Sequence, residues 1–194
     1  MKKLSFTIFL IFFWCNIGFA KPIDFSDLKI GEKVSKYFNE EQISKFYMSD
    51  RIYYPDDVIV HDKDKKYSYL QFLKADGIFD EKFPGDAYQV YYENKSKKLV
   101  GITRIMDVNS NNECFQKRKT DVDKYKNKNR INSLFNRVQD KHTFPDGMID
   151  DYIMFSIKEK YIAFSCYIFD DKTEYRVEAL ENNYNDYIFK INNQ

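Results

Sequence analysis

The sequence predicts an α+β fold: an antiparallel sheet built from hairpins, with helices packed on one face. Three observations predict it. Residues 86–108 and 152–169 each hold two runs of β-branched and aromatic residues around a short polar turn, Glu93 to Lys97 in the first and Lys158 to Lys160 in the second. Connections that short let neighbouring strands pair only antiparallel. Residues 111–141 carry their apolar side chains at helical spacing instead. Helical and strand-like segments also come in blocks, without the one-for-one alternation that builds a doubly wound parallel sheet.

Residues 1–20, MKKLSFTIFLIFFWCNIGFA, precede the fold. Lys2 and Lys3 form a basic start, Leu4 to Trp14 is almost entirely apolar, and Gly18 and Ala20 put small residues at the −3 and −1 places. That is the layout of a cleavable secretory signal. The apolar run is short for a membrane span, which needs about 20 residues. Cys15 follows Phe12, Phe13 and Trp14 rather than a small-residue box, so it is not a lipoprotein cysteine. Cleavage after Ala20 makes Lys21 the first mature residue and leaves residues 21–194 as a single α+β domain with no further membrane span.

Removing the two leader lysines takes the formal charge from +1 to −1. A nucleic-acid binder would carry a basic surplus, so no nucleic acid is expected as partner. The chain is rich in Lys, Asn, Ile, Tyr and Phe, residues with AT-rich codons. This points to a bacterium with an AT-rich genome and to a periplasmic or secreted protein. Aromatic residues make up 18% of the chain, so Phe and Tyr are expected to fill much of the core.

Along the chain, Val34, Tyr37 and Phe38 and then Ile43, Phe46 and Tyr47 fall at helical spacing. Asn39 with Gln42 has the geometry of a capping box. Residues 51–60, with Pro55, read as one short strand near an edge. Residues 61–66 read as a polar turn, and residues 67–79 fit strand and helix equally. Tyr88, Val90 and Tyr92 alternate against Leu99 to Ile105 as a hairpin. The long helix is capped by Asn111 or Asn112 and holds Cys114, Val122, Tyr125, Ile131, Leu134, Phe135 and Val138, with a kink or break in its polar middle. Residues 142–151 read as a loop with a turn at Pro145-Asp146-Gly147. A second hairpin, a strand at residues 174–180 and a short strand or helix complete the order.

Two cysteines remain after cleavage, Cys114 and Cys166, and an even count in an oxidising compartment reads first as a disulfide. Such a bond would tie the first turn of the helix to a strand. The alternatives are two free structural thiols, or Cys114 as a nucleophile activated by a helix N-terminus. A nucleophile needs a base, and the mature chain offers only His61 and His142, both in expected polar turns.

Candidate sites are sparse. His61, Asp62 and Asp64 are close enough to ligate a metal, but no spacing supplies the three or four ligands that zinc requires. Asp107, Asn109 and Asn111 alternate as in a calcium loop. Asn112 then stands where glycine belongs and Arg118 where the closing glutamate belongs. His142, Asp146, Asp150 and Asp151 gather in the expected loop, without a serine in a nucleophile elbow. No cofactor motif is present, and neither a cofactor nor a resident metal is expected. Of the tyrosines at 53, 54, 88, 91 and 92, the hairpin residues Tyr88, Tyr91 and Tyr92 are the candidates for an aromatic binding face.

The order NECFQKR after a hairpin, then KHTFPDG, then YIAFSCYIF, resembles a group of small exported two-cysteine proteins of AT-rich bacteria that have no assigned activity. The resemblance covers residues 86–170 and implies a disulfide-bearing periplasmic domain with no catalytic residue to carry over. The chain departs from that group after Cys166, where Tyr167-Ile168 replaces Asp-Trp. Residues 29–46 are also similar to the helical opening of small outer-membrane lipoproteins, without their lipobox. The resulting expectation is a non-catalytic exported domain that binds a protein or cell-envelope component. The alternative is a periplasmic hydrolase using acidic residues with His61 or His142. A cleft holding a histidine beside carboxylates would favour the enzyme, and a shallow aromatic face would favour binding.

Overall fold

Side-chain alternation decides which face each strand can bury, and hence where the helices sit. The computed structural model describes residues 28–48, 51–53, 59–61, 65–77, 85–129, 137–144, 147–157 and 159–186. The leader, the mature start at Lys21, Tyr54, Asp62, Asp64, Ile131, Leu134, Phe135 and Asp146 lie outside them. The strands are β1 (Arg51–Tyr53), β2 (Ile59–His61), β3 (Tyr67–Leu73), β4 (Ala87–Glu93), β5 (Leu99–Val108), β6 (Arg137–Thr143), β7 (Ile149–Ile157), β8 (Lys160–Ile168) and β9 (Thr173–Glu181). The helices are α1 (Glu40–Phe46) and α2 (Asn111–Asn129), and residues 182–186 form a further helical turn.

The fold is α+β. Strands β3 to β9 form one seven-stranded sheet in the order β3-β4-β5-β9-β8-β7-β6, and every pairing in it is antiparallel. Two meanders meet in its middle. The chain runs β3, β4, β5, crosses by α2 to the far edge, and returns through β6, β7 and β8 until β9 docks against β5. Among the described residues β1 and β2 pair only with each other, so residues 51–60 hold parts of two strands and not one.

Among the described residues both helices cover the same sheet face. Under α1, Phe72, Leu70, Tyr88, Val90 and Leu99 pack with Phe38 and Phe46. Phe38 stacks on Phe72 at 5.1 Å between ring centroids, and Phe46 meets the same ring at 4.9 Å. Under α2, Met106, Phe155, Phe164, Cys166 and Tyr175 pack with Cys114 and Val122. α2 buries a stripe at four-residue spacing, Cys114, Arg118 and Val122, as one helix face requires. Its buried polar groups are all bound. Arg118 bonds the backbone and side chain of Asp151, and Asp121 accepts from Arg104 at 3.2 Å and from Tyr175 at 3.1 Å. Cys114 and Cys166 are joined as a disulfide, with Cα atoms 5.9 Å apart, so the bond ties the first turn of α2 to β8.

Local chemistry sets the ends. Asn39 caps α1 by accepting from the Gln42 backbone at 2.8 Å, while the Gln42 side chain accepts from the Asn39 backbone at 3.0 Å. Asn39→Ala removes one half of this box and should destabilise the protein by about 1 kcal/mol, read as a lower urea midpoint at unchanged slope. α2 is preceded by Ser110, whose hydroxyl accepts from the Glu113 backbone at 3.2 Å. The cap is therefore one residue earlier than Asn111.

The largest departure from expectation follows α2. Described helix stops at Asn129, and Val138 and His142 lie in β6, a strand paired with β7. Val138 fits helical spacing after Ile131, Leu134 and Phe135, but a β-branched residue serves either state, and tertiary pairing overrides local period. The expected loop at residues 142–151 shrinks to a turn closed by Phe144 N–H to Met148 O at 2.8 Å, with Gly147 at φ +88°. His61 and His142 are thus both strand residues and not turn residues. No helix among the described residues is long and apolar enough to cross a membrane.

Candidate functional site: a polar trough on the second sheet face

Antiparallel register places alternate residues of all seven strands on the sheet face opposite α1 and α2. One row across that face reads Leu73, Ala87, Ile105, Arg176, Ser165, Tyr152 and Asp140, from β3 to β6. The next reads Gln71, Gln89, Thr103, Glu178, Ala163 and Met154. A single trough of about 970 Å³ touches side chains from every one of these strands, so the sheet curls around it. Small residues line its floor: Ala87, Thr103, Ala163 and Ser165. On the same face Gly101 lies under Leu180 and Tyr91, and a Cβ there would lie 2.3 Å from Leu180 Cδ2. Tyr184, from the turn after β9, packs on Tyr67 and Tyr91 at 4.9 and 5.2 Å at one end.

The charges sit on β9, in the middle of the sheet. Arg176 donates from Nε and Nη2 to one oxygen of Glu174, at 2.9 and 2.6 Å, and lies 4.1 Å over the Tyr167 ring. Lys172 donates to the other Glu174 oxygen at 2.7 Å. Burial works to raise the Glu174 pKa, but these two cations outweigh it and hold it below the usual carboxylate range. Glu178, two residues on, makes no hydrogen bond or ion pair among the described residues. Burial raises its pKa, with the Arg176 charge pulling the other way. Asp150, on β7, is pushed up to about 7 by burial and by the Glu178 charge, against hydrogen bonds from Tyr167 and Ser165 and the charge of Arg176. One of its oxygens, Oδ1, is buried without a hydrogen bond.

The structure separates the residues that the sequence grouped. Tyr88 and Tyr92 are each 3% exposed in the core under α1, and of the hairpin tyrosines only Tyr91 lines the trough. Strand parity forces this, since Tyr91 differs by an odd number of residues from both. Parity also splits the acidic pair. Asp150 faces the trough, while Asp151 faces α2 and binds Arg118. The disulfide lies on the helix-covered face, away from the trough. His61 lies in β2, outside the large sheet. His142 is exposed on the rim, edge-on to Phe144 at 4.4 Å, and opposite Asp150 in register.

A nucleophilic triad does not result. Across β6, β7 and β8 the order is His142, Asp150, Tyr167, so the carboxylate lies between the imidazole and any hydroxyl of β8. Two strand spacings, about 9.6 Å, separate His142 from the strand that carries Ser165. Among the described residues no group of three His, Cys, Asp or Glu is placed to hold a metal ion.

Sequence reasoning missed Glu174, Arg176 and Glu178, and with them Tyr152, Tyr161, Tyr167 and Tyr184. A signal was present: in residues 174–180, charged residues alternate with Tyr175, Val177 and Ala179. Read alone, that pattern is a strand with one solvated face. Only the topology, in which β9 has a neighbour on each side, turns the charged face inward. No family model matches the chain, and no curated protein or solved structure matches it either.

Proposed function

We propose that the chain is a non-catalytic binding domain, exported to the periplasm or secreted, and that its trough receives part of a protein or another cell-envelope component. The observation that carries this reading is a polar, tyrosine-lined trough across the whole sheet face, in which ionisable groups stay only partly paired. Binding sites hold such groups ready for a ligand, whereas a purely structural face would satisfy or replace them. The leader and the disulfide support export.

A hydrolytic reading keeps one observation, a carboxyl of pKa about 7 facing a cavity, as a general acid needs. Acid–base pairs work when their environments drive the two pKa values apart. Here Asp150 and Glu178 are both raised, and both oxygens of Glu174 are engaged by cations. That distribution favours binding. A photo-crosslinking residue at Gln89, on the trough wall, should trap the ligand in exported protein. The same residue at Lys124, whose side chain is 75% exposed on α2, should not. Adducts from Lys124 alone would move the site off the trough, and adducts from neither would remove the binding reading.

A further inference from the structure

We infer that the aromatic end of the trough receives an ammonium group on an aliphatic chain, held by Glu178 between tyrosine rings. This rests on the binding reading above and names its chemistry. Register places the partly buried Glu178 between two small residues, Thr103 of β5 and Ala163 of β8. One step along the strands stand Tyr91, on β4, and Tyr161, on β8, with Leu180 between them on β9. Tyr184 lies over this group, 5.2 Å from the Tyr91 ring.

The hydrogen bonds already made there define what is missing. Tyr91 donates to Gln89 at 2.6 Å, Tyr161 donates to Asn185 at 2.9 Å, and the Gln89 amide donates to Gln71 at 3.2 Å. The charged donors lining the trough, Arg176 and Lys172, both bind Glu174. Glu178 receives no donor among the described residues. Thr103, 1% exposed, holds a buried hydroxyl beside Tyr91 that has no hydrogen-bond partner among the described residues. Among the described residues this end of the trough therefore lacks a charged donor. A phosphate or carboxylate would meet more acceptors and a guanidinium already neutralised. An ammonium brings three donors and no acceptor, its charge suits the faces of the rings, and its methylenes can lie along Leu180 and Met154. The raised pKa of Glu178 agrees, because a buried carboxylate short of counter-charge holds its proton more tightly.

The ammonium can come from a free aliphatic diamine or from a lysine side chain of a polypeptide, and calorimetry on the purified protein distinguishes them. The probes are cadaverine, acetyl-lysine N-methylamide and, as a neutral isostere, pentanediol. At least one amine should bind, pentanediol should bind at least tenfold more weakly, and Glu178→Gln should weaken the amine at least about tenfold without lowering the melting temperature. Binding of cadaverine alone assigns a free amine, binding of acetyl-lysine alone a polypeptide, and binding of both the shared group. Pentanediol binding as tightly as the amine, or an unchanged affinity in Glu178→Gln, would overturn the inference. If neither amine binds while Gln89 still yields adducts, the ammonium is wrong and the trough stands. If neither amine binds and Gln89 yields no adducts, both readings fall.

Discussion

Breaking the Cys114–Cys166 bond should lower the melting temperature by about 10 °C. The bond closes a loop with a sequence separation of 52 residues. Chain-entropy arguments give such a closure about 4 kcal/mol, and each kcal/mol moves the melting temperature of a domain this size by roughly 2–4 °C. Both cysteines are 0% exposed, so serine would add the cost of a buried hydroxyl. The Cys114→Ala/Cys166→Ala variant isolates the loop effect, and scanning calorimetry with and without reductant checks it. Denatured, unreduced protein cut after Ala20 should show no free thiol, and two would sink the disulfide. Because the bond lies behind the sheet, ligand binding in the trough should survive its loss at temperatures where the variant remains folded.

Stability should also fall as pH rises through 7, and Asp150→Asn should remove most of that fall. Asp150 titrates at about 7 in the folded protein, against roughly 3.9 in an unfolded chain. Between those values the folded state keeps a proton that the unfolded state has released, so stability declines with rising pH. The contribution is fully lost only above the folded value. The groups that face Asp150 are Glu178 and Arg176 from β9, Tyr167 and Ser165 from β8, and His142 from β6. A shift of that size corresponds to on the order of 2–4 kcal/mol once partial solvent access is allowed for. Urea midpoints at pH 5.5 and pH 8.5 test it: wild type should be weaker at the higher pH, and Asp150→Asn should be the more stable protein there. Equal midpoints for the two proteins at pH 8.5 would show that Asp150 is not the group responsible.

What was legible in the sequence was what depends on near neighbours. Alternation over Tyr88–Tyr92 and Leu99–Ile105 gives the first hairpin, and Asn39 with Gln42 gives a capping box that forms as written. The disulfide followed from counting cysteines on the expectation of an oxidising compartment. The α+β class followed from short turns between strands. The trough was not legible, because its residues are brought together by the pairing of β5 with β9, a contact between the two meanders that no local pattern announces. For the same reason Tyr88, Tyr91 and Tyr92 looked like one surface. Only knowing which face α1 covers shows that Tyr91 alone turns toward the trough. β6 was missed because Val138 extended an apparent helical period, while its true partner, β7, lies across a turn.

The place of β9 in the sheet has a kinetic consequence. The last described strand fills the gap between β5 and β8, so until it emerges the two meanders can form but cannot join, and each presents an unpaired strand edge. Sheet closure is therefore a late, long-range event, of the kind that makes folding slow. A chain threaded out of the cell unfolded would meet no premature closed sheet to obstruct it. A chain cut short before Thr173 would keep both edges open, and such edges recruit other chains into aggregates.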